Sequence, residues 1–250
     1  MRRASAADFA DDAQAAVEYV RTRPEIARDK VGIIGHSEGG MIGPMVAART
    51  KDVAFVVMLA GPGIRGDSLL VLQGRLIGEA NHASESELAR QSEVQHALFN
   101  AITGARDSAD AYARVVAAED RLVSTLPDSV RPRARRALEQ QRAQVLSPEI
   151  RAIITYDPRP FLSKLTVPVL ALNGTRDLQV PYKEDLAGVD AALKAAGNRD
   201  YTLVPLAGLN HLFQTATTGS PSEYAGIEET MAPVVLETIA NWINQRFGTR

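Results

Sequence analysis

The 250-residue chain contains no cysteine. That excludes disulfides, thiolate metal sites and a cysteine nucleophile. Tryptophan occurs once and aromatic residues make up 5 % of the chain, so no stacking surface for sugars or planar ligands stands out. No apolar run approaches the roughly 18 residues that cross a bilayer. The opening Met-Arg-Arg-Ala-Ser-Ala-Ala-Asp lacks the apolar segment of an export signal, so the cytoplasm is the expected compartment. The formal net charge is only −2, and neither nucleic acid nor a membrane surface is an expected partner. What is present is an ordinary globular composition, 45 % hydrophobic and 23 % charged, with length for one domain or a domain plus a cap.

Along the chain, Phe9, Ala13, Ala16, Val17 and Val20 recur at helical spacing over residues 6–22, with Asp8, Asp11, Asp12 and Glu18 facing outward. Residues 31–35 then read as a strand and residues 38–49 as a helix. Residues 53–59 form a second apolar run, as expected of a parallel strand covered on both faces. Residues 64–157 break this rhythm. They are polar, rich in alanine and arginine and helical in period, and they read as a cap inserted over a core formed by 1–63 and 158–250. The arginines at 131, 133, 135 and 136 read as a solvated helix face. After the insert come a strand at 168–174, a helix at 182–196 closed by Gly197-Asn198, a short strand at 201–204, and a last helix at 231–247. Val234, Val235, Ile239, Trp242 and Ile243 are the expected buried stripe of that helix.

Three segments carry chemistry. Residues 35–40 read Gly-His-Ser-Glu-Gly-Gly, directly after the first strand and before a helix. Gly-x-Ser-x-Gly in that context is a nucleophile elbow, which lifts Ser37 onto a sharp turn. Gly35 and Gly39 are expected to let neighbouring backbone pass. A serine hydroxyl needs a base within hydrogen-bond reach. Of the four histidines, His36 adjoins the serine and is expected to pack beside the pocket, while His82 and His96 fall in the polar insert. His211 sits in a loop after the last strand, where a side chain can reach across the strand ends. The imidazole in turn needs an acid on its other nitrogen. Asp177 lies just past the strand at 168–174, on the side where open α/β sheets place their sites. Asp185 and Asp190 fall on a helix, and Asp157 precedes a proline. The order Ser37, Asp177, His211 is the one this architecture uses.

The segments at 35–40, 173–181 and 208–214, with Glu223-Tyr224 and Ile227-Glu228-Glu229, resemble bacterial α/β-hydrolase-fold carboxylesterases. The similarity is to the group whose elbow reads Gly-His-Ser-Glu-Gly-Gly, related to serine aminopeptidase-like and acyl-thioesterase-like hydrolases. It runs from about residue 5 to the C-terminus and is weakest through the insert. The resemblance implies a mostly parallel sheet with a helical cap and hydrolysis of a small-molecule ester through an acyl-enzyme, with no metal and no other cofactor. It assigns Ser37 as nucleophile, His211 as general base and acid, Asp177 as orienting acid, and the backbone N–H of Glu38 as one oxyanion donor.

In that family the nucleophile follows the fifth strand of eight, whereas only 36 residues precede Ser37 here. An N-terminally truncated sheet is therefore expected, without the loop that carries the second oxyanion donor. Loss of one such donor costs about 10²–10³ in rate elsewhere. The strand before Ser37 becomes an apolar edge, and such an edge is a template for another chain. A homo-oligomer covering it is the expected partner. Two alternatives stay open: a thioesterase or aminopeptidase-like activity on the same triad, with Glu38 the candidate for a substrate amine, or a non-catalytic binding or assembly module.

Overall fold

The computed structural model describes residues 5–248. Four short strands form one parallel sheet in sequential order. They are β1 (Ile33–His36), β2 (Val56–Leu59), β3 (Val169–Gly174) and β4 (Tyr201–Leu206). The register pairs Ile33 with Val56, Val56 with Val169, and Val169 with Tyr201. All of β2 and β3 is buried, whereas β1 and β4, at the ends of the sheet, are only partly covered. Ile34 on β1 is 51 % exposed. Parallel order and covered inner strands are the reasons β2 and β3 read as unbroken apolar runs rather than alternating ones.

Sequential parallel strands joined by right-handed crossovers place their connecting helices on one face. The principal core shows that arrangement. Val56, Met58, Val169 and Ala171 point to one side of the sheet, against α1 (Ala6–Arg21), α2 (Glu38–Ala47), α8 (Arg159–Leu162) and α9 (Tyr182–Ala195). On the opposite face, α10 (Pro233–Phe247) brings Trp242 within hydrogen-bond reach of Thr202, 3.2 Å, and against the ring of Phe55. The end of α9 is a Schellman closure: Gly197 takes φ +69°, its N–H bonds to Lys194, and that of Asn198 bonds to Leu193.

Two amphipathic faces are rotated from the sequence reading. On α1 the buried residues are Ala10 and Val17, while Phe9 is 40 % exposed and Ala16 is exposed. On α10, Val235, Ile239 and Trp242 are buried, but Val234 is 46 % exposed. In both, spacing alone does not fix which edge of a broad apolar stripe meets the sheet, so a side chain beside the stripe reads as part of it. β4 runs on to Leu206 through Pro205, tolerable because an end strand needs no amide on its outer side.

The chain divides into two compact units, one built from Arg65–Tyr156 and the other from Ala6–Ile64 with the chain from Asp157 onward. The first unit holds α3 (Gly66–Ala80), α4 (Glu85–Thr103), α5 (Ser108–Ser124), α6 (Arg131–Val145) and α7 (Pro148–Thr155) around Leu98, Phe99, Ile102, Val115 and Ile154. Three of these helices, α4, α5 and α7, start at side-chain caps. Ser84 and Glu87 form a capping box, and Asp107 and Ser147 accept first-turn amides. α6 has no buried residue; Arg131 and Arg135 pair with Asp128 and Asp120, and Arg142 with the buried Glu119.

Among the described residues of the sheet unit, one buried side-chain oxygen has no hydrogen-bond partner. Asp185, in the first turn of α9, is fully buried. Its Oδ1 accepts the amides of Gly63 and Ile64 at 2.7 and 3.3 Å, while Oδ2 has no partner. Burial pushes this carboxyl up to about 7, against the pull of the two amides and with the charges of Asp177 and Glu184 adding to the rise. A carboxyl that binds its proton more tightly when folded stabilises the fold below the unfolded value, and loses that contribution as pH rises toward 7. Wild type is therefore expected to lose stability relative to Asp185→Asn as pH is raised from about 5 to about 8, by at most about 3 kcal/mol at 1.36 kcal/mol per pKa unit. Urea unfolding of both proteins across that range measures the difference; a pH-independent difference would refute it.

Candidate active site

The turn between β1 and α2 places Ser37 as the N-cap of α2, with φ 54° and ψ −112°. Positive φ costs a non-glycine residue of order 1–3 kcal/mol and persists only where the surroundings enforce it. Here the Ser37 amide is held by the Leu59 carbonyl at 2.8 Å, and the Ser37 carbonyl accepts from Gly40. A Cβ on Gly35 would lie 2.0 Å from the Gly39 carbonyl oxygen, and one on Gly40 would lie 2.5 Å from Gly61 Cα. Gly39, expected to serve the same purpose, has open space where its Cβ would be. The glycines that permit the turn are thus Gly35, which leaves room for the backbone of residue 39, and Gly40, which leaves room for that of Gly61.

Asp177 lies in the turn that follows β3, its amide bonded to Gly174 at 3.1 Å. The carboxylate is buried. Oδ1 accepts the amides of Gln179 and Val180 at 2.8 and 2.9 Å, which leaves Oδ2 directed at the His211 ring. His211, 5 % exposed, sits in the loop after β4. That loop is fixed by Asn210, whose Oδ1 accepts the amides of Leu212 and Gln214 and whose Nδ2 donates to Gln214 Oε1. Close approach of the two loops requires Gly174, where a Cβ would meet the Leu209 carbonyl at 2.1 Å.

These loops bring Ser37, His211 and Asp177 into one line. His211 Nδ1 lies 2.9 Å from Asp177 Oδ2, and His211 Nε2 lies 3.0 Å from Ser37 Oγ. A carboxylate only accepts, so Nδ1 carries the proton and Nε2 is left to accept from the serine hydroxyl. This arrangement can deprotonate an alcohol and hold the resulting imidazolium. Glu38 is the first residue of α2, its side chain exposed and its amide at the positive end of the helix beside Ser37. Among the described residues no strand precedes β1. No cluster of three or more candidate metal ligands occurs among them either, nor a helix long and apolar enough to cross a membrane.

His82 and His96 lie in the helical unit. His36, expected only to pack nearby, places Nε2 2.8 Å from the His211 carbonyl oxygen. Its ring centroid is 4.9 Å from that of His211. Gln179 donates to the Tyr224 hydroxyl at 3.0 Å, which ties the acid loop to the short 3-10 helix Pro221–Gly226. Neither contact has a signature in the local sequence, since each joins segments far apart in the chain. A cavity of about 350 Å³ opens beside His36, lined also by Leu212, Gln214 and Met231.

Residues 13–120 match the family described as BAAT / Acyl-CoA thioester hydrolase C terminal. No curated protein sequence matches the chain. Similar solved structures include the Pyrococcus horikoshii acylaminoacyl peptidase, 14 % identical, TM-score 0.38, covering 80 % of this chain and 22 % of that one. A Pyrococcus furiosus esterase is 12 % identical, TM-score 0.45, covering 95 % of this chain and 61 % of the other. E-2-(Acetamidomethylene)succinate hydrolase is 20 % identical, TM-score 0.48, covering 97 % and 75 %. The chain thus spans less than two thirds of the first two. The chain thus has a parallel α/β sheet with a strand–turn–helix around Ser37, and over residues 13–120 it is similar to that acyl-CoA thioester hydrolase family.

Proposed function

We propose that the chain is a serine carboxylesterase that cleaves small, short-acyl esters through an acyl-enzyme. The observation that carries this reading is the unbroken line from Asp177 through His211 to Ser37, at 2.9 and 3.0 Å. In the first step Ser37 Oγ attacks the ester carbonyl carbon and its proton passes to His211 Nε2. The Asp177 carboxylate stabilises the imidazolium that forms. The oxyanion of the tetrahedral intermediate faces the Glu38 amide at the start of α2. Collapse releases the alcohol, which takes the proton from His211. A water then attacks the acyl carbon, with His211 again as base, and frees the acid and Ser37.

Purified wild type is expected to hydrolyse a short-chain p-nitrophenyl ester at least about 10³-fold faster than Ser37→Ala. Asp177→Asn, which removes the fixed charge and the tautomer control, should cost about 10⁴ in kcat. Equal, near-background rates for wild type and Ser37→Ala would refute the hydrolase reading and favour a non-catalytic binding module.

The family match at residues 13–120 favours a second reading, a thioester substrate. The same line of side chains serves either acyl group, so the discriminating measurement is kcat/KM for an acyl thioester against an oxygen ester of the same acyl chain. A higher value for the thioester would move the assignment.

Self-association is part of the same proposal. β1 ends the sheet with Ile34 half exposed, and an unpaired edge of this kind pairs with another chain. Light scattering at micromolar concentration is expected to give a dimer or larger; a stable monomer would refute it.

A further inference from the structure

We propose that His36 is a positioning residue, which holds the main chain of His211 by donating its Nε2–H to the His211 carbonyl. The inference rests on the assignment of His211 as the base. The His36-Ser37 dipeptide then grips the base at both ends. Ser37 Oγ meets the imidazole at 3.0 Å, and His36 Nε2 meets the carbonyl at 2.8 Å. Consecutive side chains of a strand diverge, and the two partners here are accordingly well separated atoms of one residue, its ring and its main-chain oxygen.

Three observations support a role beyond packing. First, the His211 carbonyl accepts from no main-chain amide among the described residues. Within the loop the main-chain bonds run from Phe213 to Asn210, from Asn210 to Gln214 and from Ala232 to Phe213, and none of them uses residue 211. Second, a carbonyl only accepts, so His36 must carry its proton on Nε2. Partial desolvation holds its imidazole below the ordinary histidine value although the residue is exposed at one edge, consistent with a neutral ring that does not place a charge beside the base. Third, the loop is under local constraint. Phe213, two residues on, has φ +61°, and a loop with positive φ at a bulky residue keeps its shape only if it is held. On the other flank the Tyr224 hydroxyl lies against the His211 main chain and also accepts from Gln179 of the acid loop.

The hydrogen bond, rather than the ring, is the part that positions. His36→Phe keeps an aromatic ring against His211 and Phe213, whose centroids lie at 4.9 and 6.1 Å, but removes the donor. His36→Gln loses the ring but carries an N–H at comparable reach. A misplaced base costs rate in proportion to the lost alignment, up to about a hundredfold for a displacement of the order of 1 Å.

The test compares wild type with the Phe and Gln variants by two readouts. The first is the low-field proton of His211 Nδ1–H against Asp177, followed by NMR of histidine-labelled protein and assigned by its loss in Asp177→Ala. It is expected to persist in wild type and His36→Gln and to broaden through faster exchange with water in His36→Phe. The second is turnover: kcat in His36→Phe should fall about tenfold to a hundredfold with KM unchanged, while His36→Gln stays within a few-fold of wild type. A low-field proton that exchanges equally slowly in His36→Phe overturns the proposal, as does a phenylalanine variant with wild-type kcat. The NMR readout needs no turnover. Inactive wild type with the expected NMR pattern would therefore refute the esterase reading and still support His36 as the anchor of residue 211.

Discussion

A serine held at positive φ on the turn between β1 and α2 is the constraint around which the sheet unit is arranged. Nothing about serine favours that conformation. It is imposed by the amide of Ser37 bonding to the end of β2 and by an approach of backbone to backbone that only glycine allows at positions 35 and 40. The strand order follows from the same need. β2 must lie directly beside β1 for Leu59 to reach Ser37, and β3 beside β2 for the Asp177 turn to open on the same end of the sheet. The result is a hydroxyl raised beside the start of a helix, with the loops after β3 and β4 free to converge on it.

What converges is polar and buried, and burying polar groups is costly unless each is bonded. The sheet unit meets that cost by bonding the buried side chains of the two loops on more than one side. Asp177 uses one oxygen for the turn amides and the other for His211. Asn210 holds its own loop closed with its side-chain oxygen and passes its amide to Gln214, which donates in turn to the carbonyl of Glu229. Such networks are stiff when complete, because removing one member leaves another unsatisfied. Asp185 departs from this pattern. One of its oxygens anchors the segment after β2 at Gly63, the other is buried with nothing to bond, and the rise of its pKa to about 7 is the consequence. Since Gly61 in that segment packs against Gly40 of the elbow helix, the buried carboxyl supports the turn at Ser37 from behind.

Elements and chemical types are legible in the amino-acid sequence. Val, Ile and Leu runs without alternation announced parallel strands with both faces covered, and β2 and β3 are those strands. Gly-His-Ser-Glu-Gly-Gly announced a strand–turn–helix because a turn that tight requires particular residues at fixed local spacing, so the requirement is written in neighbouring letters. Asp177 and His211 could be singled out because each lies in a polar loop immediately after an apolar strand. The tertiary structure alone decided what depends on contact between distant segments. It set which edge of the α1 and α10 stripes meets the core, leaving Phe9 and Val234 exposed. It also turned Asp185 from one acid among several in a helix into a buried anchor, and made His36 a partner of the loop 175 residues away. Local spacing encodes backbone geometry, whereas burial and hydrogen-bond partnership arise only when the chain has closed on itself, and no window of sequence contains both halves of such a pair.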